Sequence, residues 1–199
     1  MRQLFFLSSL FLISCMSSST GNSNNNSGNT TSYAKDSVLK ELQMKYDLVL
    51  VAGHENHAWG HTAGYKIIAL KDNEWMGYDY YVNRGNTSDE SHIENCNINP
   101  RVIEQGAAAT AWKFIQQQNT AILKKEKDND PCSHDKAKQC NINDGGDWHI
   151  MILKPASVEE TRYYEPEFFE NCCPGNDNRK LFIEAFHKIE EAVATGKGR

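Results

Sequence analysis

The chain contains 199 residues, and 26 acidic against 21 basic side chains give it a formal net charge of -5. Proteins that bind nucleic acid usually present a basic surface that neutralises phosphates, so this charge balance argues against a nucleic-acid partner. Hydrophobic residues make up 39% of the sequence, and a chain of this length can bury a substantial core. We therefore predict one folded domain that does not bind nucleic acid.

The N-terminal segment has the layout of a secretory signal peptide. Arg2 is its single basic residue, and an apolar run from Leu4 to Ile13 follows. That run is shorter than the roughly 20 residues that a bilayer-spanning helix requires. We therefore predict that residues 1–14 are a signal peptide that is removed from the mature protein.

A short motif closes this segment, and its residues are Leu12, Ile13, Ser14 and Cys15. The motif resembles the lipobox of bacterial lipoproteins, a family in which cleavage leaves the cysteine as the lipidated first residue. The resemblance implies that Cys15 carries several acyl chains such as palmitate, since one chain alone anchors a protein only marginally. It also implies a location in the cell envelope. Because Met16 rather than aspartate follows the cysteine, the outer membrane of a Gram-negative bacterium is favoured, with the domain facing the periplasm or the cell surface.

An ordinary secretory signal that is followed by a cysteine by chance is the alternative interpretation of this segment. Downstream, residues 17–32 are all Ser, Thr, Asn or Gly. This composition cannot bury enough apolar surface to offset the entropy of ordering. We therefore expect residues 15–32 to comprise the lipidated cysteine and a disordered tether, followed by a single domain over residues 33–199.

The domain is predicted to begin with a short helix and three strands. Apolar residues lie at helical spacing over residues 37–46, which predicts the helix. Strands are predicted over 48–53, 63–70 and 75–82, where aliphatic and aromatic residues concentrate. Polar residues between the second and third strands indicate a tight turn, so these strands are expected to form an antiparallel hairpin or meander.

The third predicted strand has two different faces because side chains alternate along a strand. One face carries Tyr78, Tyr80 and Val82, and the other carries Trp75, Asp79 and Tyr81. Aromatic residues in such a pattern usually pack in a core or across neighbouring strands. A platform for a carbohydrate or a peptide is the functional alternative.

Two long amphipathic helices are predicted in the second half of the chain. Asn99 and Pro100 are typical of a helix start, because asparagine caps helices and proline suits the first helical position. This pattern predicts a helix over 102–127. A final helix is predicted after the cap candidates at 176–178, and its apolar face comprises Phe182, Phe186, Ile189 and Val193.

Two further strands are expected between these helices. The continuously apolar run at 148–153 is typical of a strand that is buried on both faces, and a second strand is expected over 160–165, before Pro166. The order of elements therefore predicts an α+β fold. We expect a mainly antiparallel sheet of about four to five strands, covered on one face by the two long helices.

Disulfide bonds are the default interpretation of the cysteines if the chain is exported to an oxidising compartment. A local bridge between Cys132 and Cys140 is predicted because these residues flank a short polar loop. Cys96 is then expected to pair with Cys172 or Cys173, which leaves one thiol free or bonded to another molecule. A metal site that includes His134 is the alternative, although the spacing fits no standard zinc module.

The richest concentration of chemically active side chains follows the first predicted strand. His54, His57 and His61 are candidate ligands for a transition metal such as zinc, because imidazole is a common metal ligand near neutral pH. Glu55 would then be the candidate general base of a metal-dependent hydrolase. The neighbouring glycines indicate a loop, in which the helical spacing of the histidines loses its meaning. Whether His149 joins this group is left open by the sequence.

A binding function is the favoured alternative to catalysis. No nucleotide-binding or serine-hydrolase motif occurs, and Cys96 is the only attractive thiol for nucleophilic catalysis. The sequence therefore favours a binding or inhibitor/immunity-type module at the envelope, with a protein or a glycan as its partner. Trp59 is the predicted anchor of that interface, because tryptophan is frequent among binding hot spots.

Overall fold

The computed structural model describes residues 36–56, 62–85, 93–124 and 140–194. Within these ranges the chain forms an α+β fold with a six-stranded sheet and four helices. In chain order, the elements are α1 (Ser37–Lys45), β1 (Leu48–Asn56), β2 (Thr62–Lys71), β3 (Glu74–Asn83), β4 (Asn95–Arg101), α2 (Gln105–Ile122), β5 (Gly146–Lys154), β6 (Ser157–Tyr164), α3 (Pro166–Cys172) and α4 (Asp177–Ala194).

The six strands form one antiparallel sheet in the order β4–β3–β2–β1–β5–β6. The predicted fold class is therefore confirmed, and the sheet has one strand more than the upper expectation. The predicted turn between β2 and β3 is also present. Asp72 and Asn73 form its tip, and both have a positive φ (52° and 63°). Two consecutive left-handed residues match the twist of a hairpin, and Asp and Asn tolerate this conformation well.

The two long helices α2 and α4 pack together on one face of the sheet, as predicted. We call this the helix face. The four residues predicted as the apolar side of the last helix are all buried there. The core on this face includes Leu50 of β1, Ile68 of β2 and Ile150 of β5. Asn176 caps α4, since its Oδ1 accepts a hydrogen bond from the amide of Arg179.

The opposite face is covered in part by the short helix α1, and we call it the tyrosine face. Val38, Leu39 and Leu42 of α1 are buried against it. Asp36 caps α1 by accepting hydrogen bonds from the amides of Val38 and Leu39. Its carboxylate also accepts a hydrogen bond from Tyr80 at 3.0 Å, so the cap joins the helix to the sheet.

One predicted helix start is wrong. Asn99 and Pro100 lie within β4, and helix α2 begins at Gln105 with Glu104 at its N-cap. β4 is an edge strand that pairs only with β3 among the described strands. Proline lacks an amide donor and is tolerated at a sheet edge, where one side of the strand needs no partner. Pairing along the whole of β4 therefore overrides the local capping pattern.

The cysteine pairing also differs from the prediction. Cys140 forms a disulfide with Cys172, with Cα atoms 5.9 Å apart, so the predicted bridge from Cys140 to Cys132 is wrong. The antiparallel pairing of β5 and β6 explains this, because it brings the start of β5 and the end of β6 to the same end of the sheet. Cys96 is disulfide-bonded and no described cysteine is a free thiol, which removes Cys96 as a candidate nucleophile. Cys132 lies outside the described residues.

Two strand glycines provide a test of the packing. A Cβ atom added at Gly53 would lie 2.5 Å from a ring carbon of buried Tyr65, whereas one added at Gly64 would have no neighbour within 4 Å among the residues that the structure describes. We expect Gly53→Ala to lower the free energy of unfolding by about 1–3 kcal/mol through overpacking. Gly64→Ala should be neutral or raise it by up to about 1 kcal/mol, because alanine reduces the entropy of the unfolded chain.

Urea denaturation of the two variants beside the unchanged protein measures both values. Equal destabilisation by the two substitutions would contradict this account of the packing.

Candidate functional site

The alternation of side chains along β1 separates two of the predicted site residues. The strand continues past Gly53 to Asn56, so the expectation that a loop begins at Gly53 is wrong. His54 is exposed on the helix face, while its neighbour Glu55 is buried on the tyrosine face. His57, Trp59 and His61 lie outside the described residues.

Glu55 is the centre of a buried cluster of charged and polar groups. Its Oε1 accepts a hydrogen bond of 2.9 Å from the Tyr65 hydroxyl, and the Arg84 guanidinium lies 3.5 Å from the same oxygen. Nε2 of His149 lies 3.4 Å from Oε2 of Glu55. The Glu55 and His149 side chains are 3% and 0% exposed, so the cluster is sealed from solvent.

His149 links this carboxylate to a second one. Its Nδ1 lies 3.3 Å from Oε1 of Glu160, which also accepts a hydrogen bond from Nε of Arg162. The sheet register explains the arrangement, since His149 pairs with Gly53 of β1 and with Arg162 of β6. The absence of a side chain at Gly53 leaves room for the Tyr65 ring, whose hydroxyl reaches Glu55. The structure thus joins His149 to Glu55 but not to His54.

The charges of the cluster stabilise one another. Burial alone would raise the pKa of Glu55, but the hydrogen bond and charge of His149, aided by Arg84, lower it to about 2. Burial would lower the pKa of His149, but hydrogen bonds to Glu160 and Glu55 raise it above its ordinary value. A carboxylate with such a low pKa is a weak proton acceptor, whereas a general base works best with a pKa near the working pH. The contacts therefore support a structural role for Glu55.

On the helix face, His54 lies beside an aromatic group. Its ring centroid is 6.0 Å from that of Trp148, which packs on Phe186 at 4.4 Å. Among the described residues, no three His, Cys, Asp or Glu side chains are grouped closely enough to hold a metal ion. The metal site of His54, His57 and His61 therefore stays a prediction, because two of its three ligands lie outside the described ranges.

A polar surface on the helix face extends over β2, β3 and β4, beyond the cover of the long helices. We call it the amide platform, and it comprises Gly64, Lys66, Asp79, Tyr81, Asn95, Asn97, Asn99 and Arg101. The three asparagines are exposed and occupy alternate positions of β4, so all of them share this face. Tyr81 is 47% exposed and lies opposite Asn97.

An ion triad forms one end of the amide platform. The Asp79 carboxylate accepts hydrogen bonds from Nζ of Lys66 at 2.7 Å and from Nε of Arg101 at 2.6 Å. Partial burial would raise the pKa of Asp79, but the hydrogen bonds from Lys66 and Arg101 outweigh it and lower the pKa. The aspartate is therefore ionised at neutral pH, and the triad carries two positive charges against one negative charge.

The platform also has a gap, which we call the Gly64 gap. Gly64 pairs with His54 on one side and with Tyr81 on the other, and all three positions belong to the helix face. Neighbouring strands are about 4.8 Å apart, so the His54 and Tyr81 backbones are separated by about 10 Å across Gly64. No atom of the described residues lies within 4 Å of a Cβ atom built on Gly64. Within the described part of the chain, the gap is therefore open to a ligand.

Sequence reasoning identified only part of this surface. It assigned Trp75, Asp79 and Tyr81 to one face of a strand, and the structure confirms this. Trp75 is buried in the core under the helices, however, so only Asp79 and Tyr81 belong to the platform. The asparagines were missed because Asn99 and Pro100 were interpreted as the start of a helix. Their alternation with Cys96 and Ile98 was the available indication of a strand.

No protein-family model matches this sequence, and no match was found among curated proteins. None of the helices in the described ranges combines the length and the apolar character needed to cross a membrane.

The buried cluster should determine how stability depends on pH. A raised pKa means that charged His149 stabilises the fold fully below its unfolded pKa of about 6.5, and that this contribution is lost as the pH rises through the folded pKa. For Glu55 the sign is opposite, since its contribution is present above its ordinary pKa of 4.5 and is lost as the pH falls toward about 2.

We expect His149→Gln to lower the free energy of unfolding by about 3 kcal/mol near pH 6, because two buried carboxylates lose their shared cation. The variant should also lose less stability than the unchanged protein as the pH rises above about 6.5, since glutamine has no proton to release. Urea denaturation across this pH range measures both effects. Parallel pH curves for the two proteins would contradict the role assigned to His149.

Proposed function

We propose that this protein is a lipoprotein of the bacterial envelope, tethered through Cys15, whose α+β domain binds a protein or glycan partner. The exposed amide platform is the observation that carries this proposal. The platform presents donors, acceptors and an aromatic ring to solvent, whereas the acid–base cluster around Glu55 and His149 is sealed inside the fold. The groups suited to binding are accessible, whereas the acid–base groups of this cluster are not. This contrast favours a binding module, of the kind that acts as an inhibitor or immunity protein.

The composition of the platform supports a binding role because folding alone does not account for it. Asparagine and glycine are both depleted in strands, where β-branched and aromatic residues pack better. Yet Asn95, Asn97 and Asn99 occupy alternate positions of β4, and Gly64 lies within β2. The space at Gly64 is open and its φ is not positive, so neither packing nor backbone geometry requires a glycine. Close approach of a ligand supplies the missing reason.

The N-terminal sequence supports the proposed location. The lipobox-like residues 12–15 and the Ser, Thr, Asn and Gly composition of residues 17–32 are those of an anchor followed by a tether. A domain attached in this way can search the space beside a membrane for a partner. Met16 after the cysteine favours the outer membrane as the proposed site of attachment.

Lipidation makes a direct prediction. Replacing Cys15 with serine should abolish incorporation of radiolabelled palmitate and move the full chain from the membrane fraction to the soluble fraction of Gram-negative cells. The expected reason is that serine cannot accept the thioether-linked lipid. The control variant is Ser14→Ala, which alters the neighbouring position but keeps the Cys15 thiol. Unchanged palmitate labelling of the Cys15→Ser variant would contradict the lipoprotein proposal.

Partner binding is tested by photo-crosslinking in intact cells. A photoreactive phenylalanine analogue placed at Tyr81 should give specific adducts of higher mass, because this position lies on the amide platform. The matched control places the analogue at Met44, which is 79% exposed on α1, on the tyrosine face. Adducts from position 81 and none from position 44 are the expected result. No adduct from position 81, or the same adducts from both positions, would contradict the proposed binding surface.

A further inference from the structure

The asparagine row of the amide platform has the chemistry of a hydroxyl-binding surface. Each carboxamide offers two donors and an acceptor, so it can bond to a hydroxyl group whichever way the hydroxyl points. Residues at alternate positions of a strand are about 6.8 Å apart, and Asn95, Asn97 and Asn99 therefore form a linear array along β4. Such an array fits an extended ligand with many hydroxyl groups better than it fits a single small group.

The Gly64 gap adds a place for one ring of such a ligand. Non-bonded carbon atoms pack at about 3.5–4.0 Å, so a ring in contact with both walls needs about 7–8 Å. The two walls, at His54 and Tyr81, have backbones separated by about 10 Å, or two inter-strand spacings. Tyr81 is half-exposed, and its aromatic face can pack on the C–H face of a sugar ring.

The ion triad adds a preference for negative charge. Lys66 and Arg101 bring two positive charges to the single carboxylate of Asp79, while the chain as a whole carries a net charge of -5. The Lys66 and Arg101 side chains are 41% and 37% exposed, so both are accessible to a ligand. Arg101 directs Nε and Nη2 at Asp79, which leaves its Nη1 donors for a carboxylate or a phosphate group.

From these three features together, we infer that the amide platform binds an acidic glycan, with one sugar ring in the Gly64 gap and a carboxylate or phosphate group beside Lys66 and Arg101. This inference rests on the proposed binding function and names the partner of the same surface. It requires no chemical change in the glycan.

Binding of the full chain, purified in detergent, to defined oligosaccharides tests the inference. The probes are oligogalacturonate, oligoglucuronate, a sialylated oligosaccharide and a phosphorylated mannan fragment, each beside its uncharged counterpart, in which the carboxylates have been reduced or the phosphate removed. We expect at least one acidic probe to bind about tenfold more tightly than its neutral counterpart, with an affinity that falls as salt is added. Failure of every acidic probe would overturn the inference.

Three variants assign the binding to the platform. Gly64→Trp fills the gap and Tyr81→Ala removes one of its walls, so each should weaken binding by about tenfold or more. The double change Lys66→Gln with Arg101→Gln should remove the preference for the acidic probe over its neutral counterpart. Met44→Ala is the matched control and should bind normally, because Met44 lies on α1, away from the platform. All of these positions are at least partly exposed, and thermal unfolding verifies that each variant is folded.

The outcomes separate this inference from the proposed function. Adducts from position 81 with a protein, together with no binding of any acidic probe, would overturn the inference of a glycan partner. The proposed binding function would then still hold. Glycan binding that is unchanged in Gly64→Trp and Tyr81→Ala would overturn the assignment to the platform. If position 81 gives no adduct and no probe binds, both proposals fail.

Discussion

Side chains that are adjacent in a strand leave the sheet on opposite sides, and this constraint separates the chemistry of the protein into two places. His54 and Glu55 are neighbours in sequence, yet one is exposed on the helix face and the other is buried on the tyrosine face. The same alternation in β3 directs Tyr80 into a core and Tyr81 to solvent. Because β1 and β2 lie at the centre of the sheet, their register determines which groups meet on each face.

The two polar regions have different physical characters. The cluster around Glu55 and His149 is buried, and each charge within it is offset by an opposite charge on another strand. Removing one member leaves an uncompensated charge, so such a cluster favours a unique strand register. The amide platform is exposed, and its triad of Lys66, Asp79 and Arg101 contributes little to stability in water. A group of exposed charges and amides is better suited to recognition than to holding the fold together.

Periodic patterns allowed much of the fold to be predicted. The strands around residues 48–53, 75–82 and 148–153 and the apolar side of the last helix were found because burial imposes a period of about 2 or 3.6 residues. β4 was missed because its exposed asparagines have low strand propensity, and because Pro100 after Asn99 is typical of a helix start. The candidate site was predicted only in part. Asp79 and Tyr81 were recognised as one face, but the residues that form the amide platform with them come from other strands.

The sequence by itself determined the α+β class, the turn at 71–74 and the two long amphipathic helices, because these depend on residues close together in the chain. Only the tertiary structure decided the pairing of Cys140 with Cys172, the contact between Glu55 and His149 and the open space beside Gly64. Each of these depends on strand order and register, which bring together residues that are far apart in sequence. Local propensity carries no information about such contacts, because the free energy that selects them comes from packing across the whole sheet.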